Sequence, residues 1–378
     1  MRKVMEGSHA VAEAVKLVGP KVIAAYPITP QTHIVERLAE LVANGELDAE
    51  YLNVESEHSA MAACIGAQAT GVRTYTASCS QGLALMWELL HVASGMRLPI
   101  VMGVANRALS APLNIWNDWS DAIGCRDTGW IQLWVESVQE AFDATIQAYR
   151  IAELVQLPAM VCMDGFYLSH VHEPLEVAEA ADVQRFVGPY KPALTLDTSN
   201  PMSLGEYATP EHFQEFKAEQ QRAMEGAVRI ISDVNEKFGT AFGRRYGSGL
   251  IETFNMPAPN VIVTMGSIAG TMKHTIKTDG IRDVGIVRVR SYRPFPGEEL
   301  RRLLAGAKNV GVFEKDISLG IGGALWSEVK AFVDKPVASF VGGLGGRDIG
   351  PKWVAKMFDL LRAGDIGPHW IEGDRVRL

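Results

Sequence analysis

No two cysteines of this chain stand close enough to form a CxxC pair: Cys64, Cys79, Cys125 and Cys162 are its only four, and they are scattered. Zinc and iron–sulfur centres held by one chain draw on closely spaced thiols. The expectation is therefore no metal centre of that kind, only buried free thiols in a reducing cytoplasm. No apolar run reaches the roughly 20 residues of a bilayer span, and Met1–Gly7 lacks the apolar core of a secretion signal. A surplus of positive charge is missing too. The formal net charge is −8 over 378 residues, which argues against nucleic acid and against a membrane surface as partner. Gly320, Gly322, Gly323, Gly342, Gly343, Gly345 and Gly346 do not match GxGxxG with a downstream acid, so they read as tight turns rather than a dinucleotide fingerprint. Repeats and low-complexity tracts are absent.

What is present is a rhythm of short apolar strands and helices. A helix is expected from Glu6, where Val11, Ala14, Val15 and Val18 recur at helical spacing, and Gly19-Pro20 ends it. A strand to Tyr26 follows, then Pro27-Ile28-Thr29-Pro30, then a helix from Thr32. Proline removes an N–H and fixes φ, so Pro27 and Pro30 bracket a turn. Residues near 51–54, 73–77 and 98–104 read as further strands. They lead into Glu55-Ser56-Glu57-His58-Ser59, Ser78-Cys79-Ser80-Gln81-Gly82 and Ala105-Asn106-Arg107. Four such units in a row imply a doubly wound parallel α/β sheet. Right-handed crossovers put every loop that follows a strand on one edge. Thr29, Glu57, Ser80-Gln81 and Asn106-Arg107 are thus expected to meet at one rim, where open α/β sheets bind ligands. The domains expected are 1–240, a linker over 241–258, and a smaller α/β domain over 259–378 that starts at the apolar run Val261-Ile262-Val263.

Residue type alone leaves each candidate with two readings. Thr29 either caps the following helix or offers its hydroxyl to a ligand. Glu57, with Glu55 as competitor, either complements the start of a small-residue helix or serves as an acid–base group. Arg107 directly follows a buried strand; it either pairs with Asp118 or Asp121 or presents its planar fork to a substrate carboxylate. Ser80 and Gln81 are helix caps or pocket lining. The long irregular segment Ala108–Gly129, with Trp116 and Trp119, is an interface, a lid or packing.

The segments Tyr26-Pro-Ile-Thr-Pro30, Glu55-Ser-Glu-His-Ser-Ala60, Ser80-Gln-Gly-Leu83, Ala105-Asn-Arg-Ala108, Arg126-Asp-Thr-Gly129 and Val289-Arg-Ser-Tyr-Arg-Pro-Phe295 together resemble the alpha subunit of pyruvate:ferredoxin oxidoreductases. Their order and spacing cover nearly the whole chain. The resemblance implies a pyrimidine-side thiamine diphosphate-binding domain followed by a transketolase C-terminal-like domain. It implies Glu57 as the carboxylate that shares a proton with the cofactor's pyrimidine. Thr29 and Arg107 would bind the carboxylate of a 2-oxo acid, with Asn106 orienting Arg107, and Pro27, Ser80 and Gln81 would line the cofactor pocket. The chain has no GDG followed by the asparagine that the magnesium-binding half needs. The resemblance accordingly assigns diphosphate, Mg2+ and a [4Fe-4S] cluster to a beta subunit, further clusters to ferredoxin-like gamma and delta subunits, and expects a dimer of heteromers. It implies coenzyme A as co-substrate and ferredoxin as electron acceptor. Pyruvate is the expected substrate; 2-oxoglutarate and branched 2-oxo acids are the alternatives, and a non-catalytic scaffold subunit is the competing class.

Overall fold

Short apolar strands, each followed by a helix with one apolar face, close into two open and mostly parallel sheets in the computed structural model, which describes residues 1–372. In chain order the strands are β1 (Arg2–Glu6), β2 (Val22–Ala25), β3 (Glu50–Asn53), β4 (Thr74–Ser78), β5 (Val101–Asn106), β6 (Ile131–Trp134), β7 (Ala159–Asp164) and β8 (His172–Glu176). They continue with β9 (Ile251–Phe254), β10 (Asn260–Thr264), β11 (Val284–Val289), β12 (Ser291–Arg293), β13 (Asn309–Glu314), β14 (Val337–Gly342) and β15 (His369–Ile371).

The first sheet has the order β12-β6-β7-β5-β4-β2-β3. All of its pairings are parallel except that of β12 with β6. Strands β4, β5 and β7 are buried along their whole lengths, as parallel strands covered by helices on both faces must be. The second sheet has the order β15-β14-β13-β10-β11-β9, with only β9 antiparallel. The doubly wound α/β expectation holds, and the four cysteines are buried free thiols.

Three local expectations change. Arg2–Glu6 is not a lead-in to the helix but β1, antiparallel to β8 with Arg2 opposite Glu176 and Glu6 opposite His172. Five mostly polar residues carry no period that a sequence reading can use; the partner strand supplies their hydrogen bonds. The helix expected after Ser80 breaks at Met86 into Ser80–Leu85 and Trp87–Gly95. Residues 241–258 hold β9, which completes the second sheet, while β12, from the second half of the chain, completes the first.

Two buried polar seams tie the sheets. At one, Glu140 pairs with Arg288 at 2.9 Å and with Arg290 at 2.8 Å, and Arg288 also reaches Glu136 at 3.0 Å and Glu252 at 2.7 Å. Lys273 closes the group on Glu136 at 2.6 Å. At the other, Asp164 at the end of β7 accepts from Trp119 Nε1 at 2.8 Å and from the Ser267 N–H at 3.0 Å, and pairs with Lys315 at 3.3 Å. Burial alone would raise the Asp164 carboxyl; Lys315 and these donors outweigh it and hold the group below the ordinary carboxylate range.

Candidate active site

Because β2, β3, β4, β5 and β7 run parallel, the residues after them emerge at one edge. After β2 the proline turn leaves Tyr26, Pro27 and Thr29 exposed. Gln31, fully buried, pins it: its Nε2 donates to the Ala77 carbonyl of β4 at 2.6 Å, and its Oε1 accepts from the Ile28 N–H at 3.3 Å.

Glu57 opens the helix Glu57–Ala69, which Ser56 caps by accepting from the Ser59 N–H at 3.2 Å. The Glu57 side chain turns inward, and the residue is 6% exposed. A Cβ at position 82 would overlap the Glu57 carboxylate and the Ser78 hydroxyl, so a larger residue there would displace the carboxylate. Among the described residues, none donates a hydrogen bond to the Glu57 carboxylate. The competitor Glu55 is different: it is exposed, and the Ser59 hydroxyl donates to it and holds its carboxyl below the ordinary range.

Arg107 is also 6% exposed. Its Nη1 donates to the Thr29 carbonyl at 2.9 Å and its Nε to the Asn114 carbonyl at 2.8 Å. Neither Asp118 nor Asp121 pairs with its guanidinium, and among the described residues no acceptor meets Nη2. The Cys79 thiol is buried beside the Thr29 turn. It donates to the Thr29 carbonyl at 3.3 Å, and burial raises its pKa while Asp121 and Glu57 raise it further and Arg107 opposes them. The structure thus brings Thr29 and Arg107 into contact and places Glu57 after β3 on the same sheet edge.

Sequence reasoning offered Asp121 only as a possible ion-pair partner of Arg107 and missed that it organises this rim. The buried Asp121 carboxylate accepts from the Ser80 N–H at 2.9 Å, the Arg107 N–H at 2.9 Å, Asn106 Nδ2 at 2.8 Å and the Ala122 N–H at 2.7 Å. Burial pushes its carboxyl up to about 6, against the pull of these donors. Asn106 therefore reaches Asp121 and not the guanidinium; its Oδ1 is buried without a partner among the described residues. Ser80 and Gln81 spend their polar groups on the loop after β5. The Ser80 hydroxyl donates to the Ala108 carbonyl, and Gln81 Nε2 donates to Ser110 Oγ at 2.6 Å.

That loop reaches the second half of the chain. Asn114 Nδ2 donates to the Gly345 carbonyl at 3.1 Å, the Gly346 N–H donates to the Asn117 carbonyl at 2.6 Å, and the Trp119 N–H to the Lys315 carbonyl at 2.8 Å. Gly346 has φ +81° and lies against Trp116, where a Cβ would overlap the indole. The segment Ala108–Gly129 is thus an internal interface, and it links the Arg107 guanidinium through Asn114 to the second sheet.

Residues 13–236 match the family described as "Pyruvate flavodoxin/ferredoxin oxidoreductase, thiamine diP-bdg", and residues 258–354 match "Pyruvate:ferredoxin oxidoreductase core domain II". The chain is 55% identical over 356 residues to pyruvate synthase subunit PorA of Methanocaldococcus jannaschii, covering 92% of this chain and 91% of that one. Against PorA of Pyrococcus furiosus it is 49% identical, covering 92% and 90%. It is 44% identical to ketoisovalerate oxidoreductase subunit VorA of Pyrococcus abyssi, covering 92% and 90%. A solved 2-oxoglutarate:ferredoxin oxidoreductase from Magnetococcus marinus, with 2-oxoglutarate, coenzyme A and succinyl-CoA bound, shares its fold with a TM-score of 0.75 at 20% identity. That alignment covers 95% of this chain but 65% of the solved chain, so this chain spans about two thirds of that protein's length. With the thiamine diphosphate-binding match over more than half of its length and these relatives over nearly all of it, the chain belongs to the pyruvate:ferredoxin oxidoreductase family.

Proposed function

We propose that this chain is the alpha subunit of a pyruvate synthase, a complex that converts pyruvate and coenzyme A to acetyl-CoA and CO2 and passes two electrons to ferredoxin. The observation that carries the reading is a pair of buried charges left open at one rim. Glu57 has no donor and Arg107 has no carboxylate among the described residues, although each is 6% exposed. A buried ion that meets no opposite charge is costly, and these two form no ion pair with each other. Both fit the groups that a thiamine diphosphate reaction brings.

The Glu57 carboxylate is free to hold a proton with a pyrimidine nitrogen and to return it. When bound, thiamine diphosphate supplies the nucleophilic carbon for a 2-oxo carbonyl and the electron sink for decarboxylation. Arg107 keeps Nη2, and Thr29 its hydroxyl, for a carboxylate. Because Nη1 already holds the Thr29 carbonyl, the two groups are fixed relative to each other before substrate arrives, which is worth more in rate than a mobile pair. Decarboxylation removes the charge they bind, so their role is to orient the substrate and let the product go. Asp121 positions Arg107 and the Ser80 turn through backbone N–H groups and touches no substrate.

A second polypeptide completes the site in this reading. Tyr26, Leu85, Trp87, Leu113 and Trp116, from segments that flank the rim, are exposed large apolar side chains, the kind of surface a partner covers. A beta subunit would supply diphosphate and Mg2+ binding and an iron–sulfur cluster, and ferredoxin-like gamma and delta subunits the path to ferredoxin. The described helices include none long and apolar enough to cross a membrane.

Relatives that act on ketoisovalerate are 44% identical to this chain, so branched 2-oxo acids form the second reading. Thr29 and Arg107 bind a group common to all 2-oxo acids and do not choose. Coenzyme A-dependent ferredoxin reduction by the assembled complex with pyruvate, 2-oxoisovalerate and 2-oxoglutarate separates the substrates. Failure of chain plus partner to bind thiamine diphosphate at all would make this a scaffold subunit.

A further inference from the structure

Behind the Thr29 turn, three segments far apart in sequence bring two imidazoles and a carboxylate together. Glu6 ends β1, His33 lies in the first turn of the helix Thr32–Ala43, and His170 lies in the loop between β7 and β8. Each offers one ligand atom, and the three atoms lie within 4.8 Å of one another. His33 Nδ1 meets Glu6 Oε1 at 2.7 Å, and the rings of His33 and His170 are 4.4 Å apart between centroids. Glu6 is buried and the two histidines are half-buried.

We propose that Glu6, His33 and His170 form a binding site for a divalent transition-metal ion of the Zn2+ type, which clamps the N-terminal strand and the β7–β8 loop to the helix that carries the Thr29 turn. Two imidazoles and one carboxylate with an open position are a ligand set that such ions take. Bonds of about 2.0–2.1 Å to a tetrahedral ion put its ligands roughly 3.4 Å apart. The observed cluster brackets that spacing, so side-chain rotation closes it. The ion takes the place of the proton that His33 and Glu6 share, and water fills the remaining position. The outer partner of one ligand is already in place. Ser169 Oγ lies 2.7 Å from His170 Nδ1 and itself accepts from the Phe166 N–H at 2.8 Å. With Nδ1 as the donor to Ser169, Nε2 is free to be the ligand atom, the arrangement that metal-binding histidines use. No other described residue bonds to the second Glu6 oxygen or to His170 Nε2. Hard ions such as Mg2+ prefer all-oxygen surroundings and are excluded by the two imidazoles.

The test uses the tag-free full-length chain and Co2+ alone, read by visible ligand-field absorption, with Zn2+ as competitor and Mg2+ as control. The expected result is uptake of one equivalent of Co2+, displaced by Zn2+ and not by Mg2+, together with a Zn2+-dependent rise in melting temperature. His33→Ala and His170→Ala, each checked for a native circular dichroism spectrum, should weaken Co2+ binding by at least about tenfold, since loss of even an outer partner of a metal ligand costs that much. No stoichiometric uptake by the wild-type chain overturns the site whatever the variants do. Uptake that is unchanged in both variants overturns it as well.

Discussion

The rim and the seam of this molecule both bury charge, and they dispose of it in opposite ways. At the seam Glu140 meets two arginines, and the neighbouring Glu136 and Glu252 are shared between Arg288 and Lys273. Three cations face three carboxylates. The Glu140 carboxyl, which burial alone would raise, is held below its ordinary range by Arg288 and Arg290. At the rim Glu57 and Arg107 are also buried, each 6% exposed, yet form no ion pair among the described residues. A saturated charge group holds the chain to itself; an open one is a socket for something the chain does not contain. Removing a charge from each region should therefore damage different properties.

The largest effect is expected at the rim. Glu57→Gln keeps shape and volume but cannot give or take a proton, so the assembled complex should lose roughly a hundredfold to ten-thousandfold of its coenzyme A-dependent ferredoxin reduction. Its melting temperature should stay at the wild-type value. Activity within a factor of a few of wild type would remove Glu57 from the chemistry. Glu140→Ala at the seam should behave the other way. It leaves Arg288 and Arg290 buried without their shared partner, a loss of about 3–5 kcal/mol in stability, measured by chemical denaturation of the chain. If that variant were as stable as wild type, the seam would not be what joins the two sheets.

The contrast between the regions was only half legible in the sequence. The rim could be foreseen because it needs nothing beyond chain order. Once strands are parallel and crossovers right-handed, the residues after β2, β3, β4 and β5 must share an edge, and Thr29, Glu57 and Arg107 follow. Asp121 was in view only as a possible ion-pair partner of Arg107, and its actual role could not be foreseen. It belongs to a short helix, Ser120–Gly124, inside an irregular segment, and its role consists of hydrogen bonds from two other places in the chain, the Ser80 turn and the Asn106-Arg107 pair. Gln31 escaped for the same reason. The sequence shows the motif around Arg290 but not that Arg288 and Arg290 cross to Glu140, since ion pairs over some 150 positions leave no local period. Strand β1 was missed because five residues are too few to show alternation against noise.

A milder change sharpens the rim side of the comparison. Arg107→Lys keeps the positive charge but loses the planar fork that now spans the Thr29 and Asn114 carbonyls. With charged hydrogen bonds worth about 1.5–3 kcal/mol each, kcat/KM for the 2-oxo acid should fall roughly tenfold to a hundredfold, carried mainly by KM. Thiamine diphosphate affinity should hold. A fall in cofactor affinity with unchanged KM would move Arg107 from the substrate to the cofactor.

Glu314, at the end of β13, lies between the two cases. It is buried and accepts from the N–H groups of Leu325 at 2.7 Å and Trp326 at 3.1 Å, but among the described residues no cation pairs with it. Burial pushes its carboxyl up to about 8, with Asp316 adding to the rise and the backbone donors opposing it. In the unfolded chain the same group titrates near an ordinary value of about 4.3. Between these values the folded chain keeps the proton and the unfolded chain has lost it. Stability must then fall as pH rises through that window and level off above it. Asp121 and Asp316, also raised by burial to about 6, tilt the curve the same way at its acid end, so the decisive quantity is a difference. Denaturation midpoints at about pH 5 and about pH 8 should converge in Glu314→Gln relative to wild type, because the amide does not titrate. Equal slopes in the two proteins would mean that Glu314 is ionised in the fold, and that the N–H groups at the start of the helix Ala324–Lys330 suffice to hold a buried charge that no cation meets.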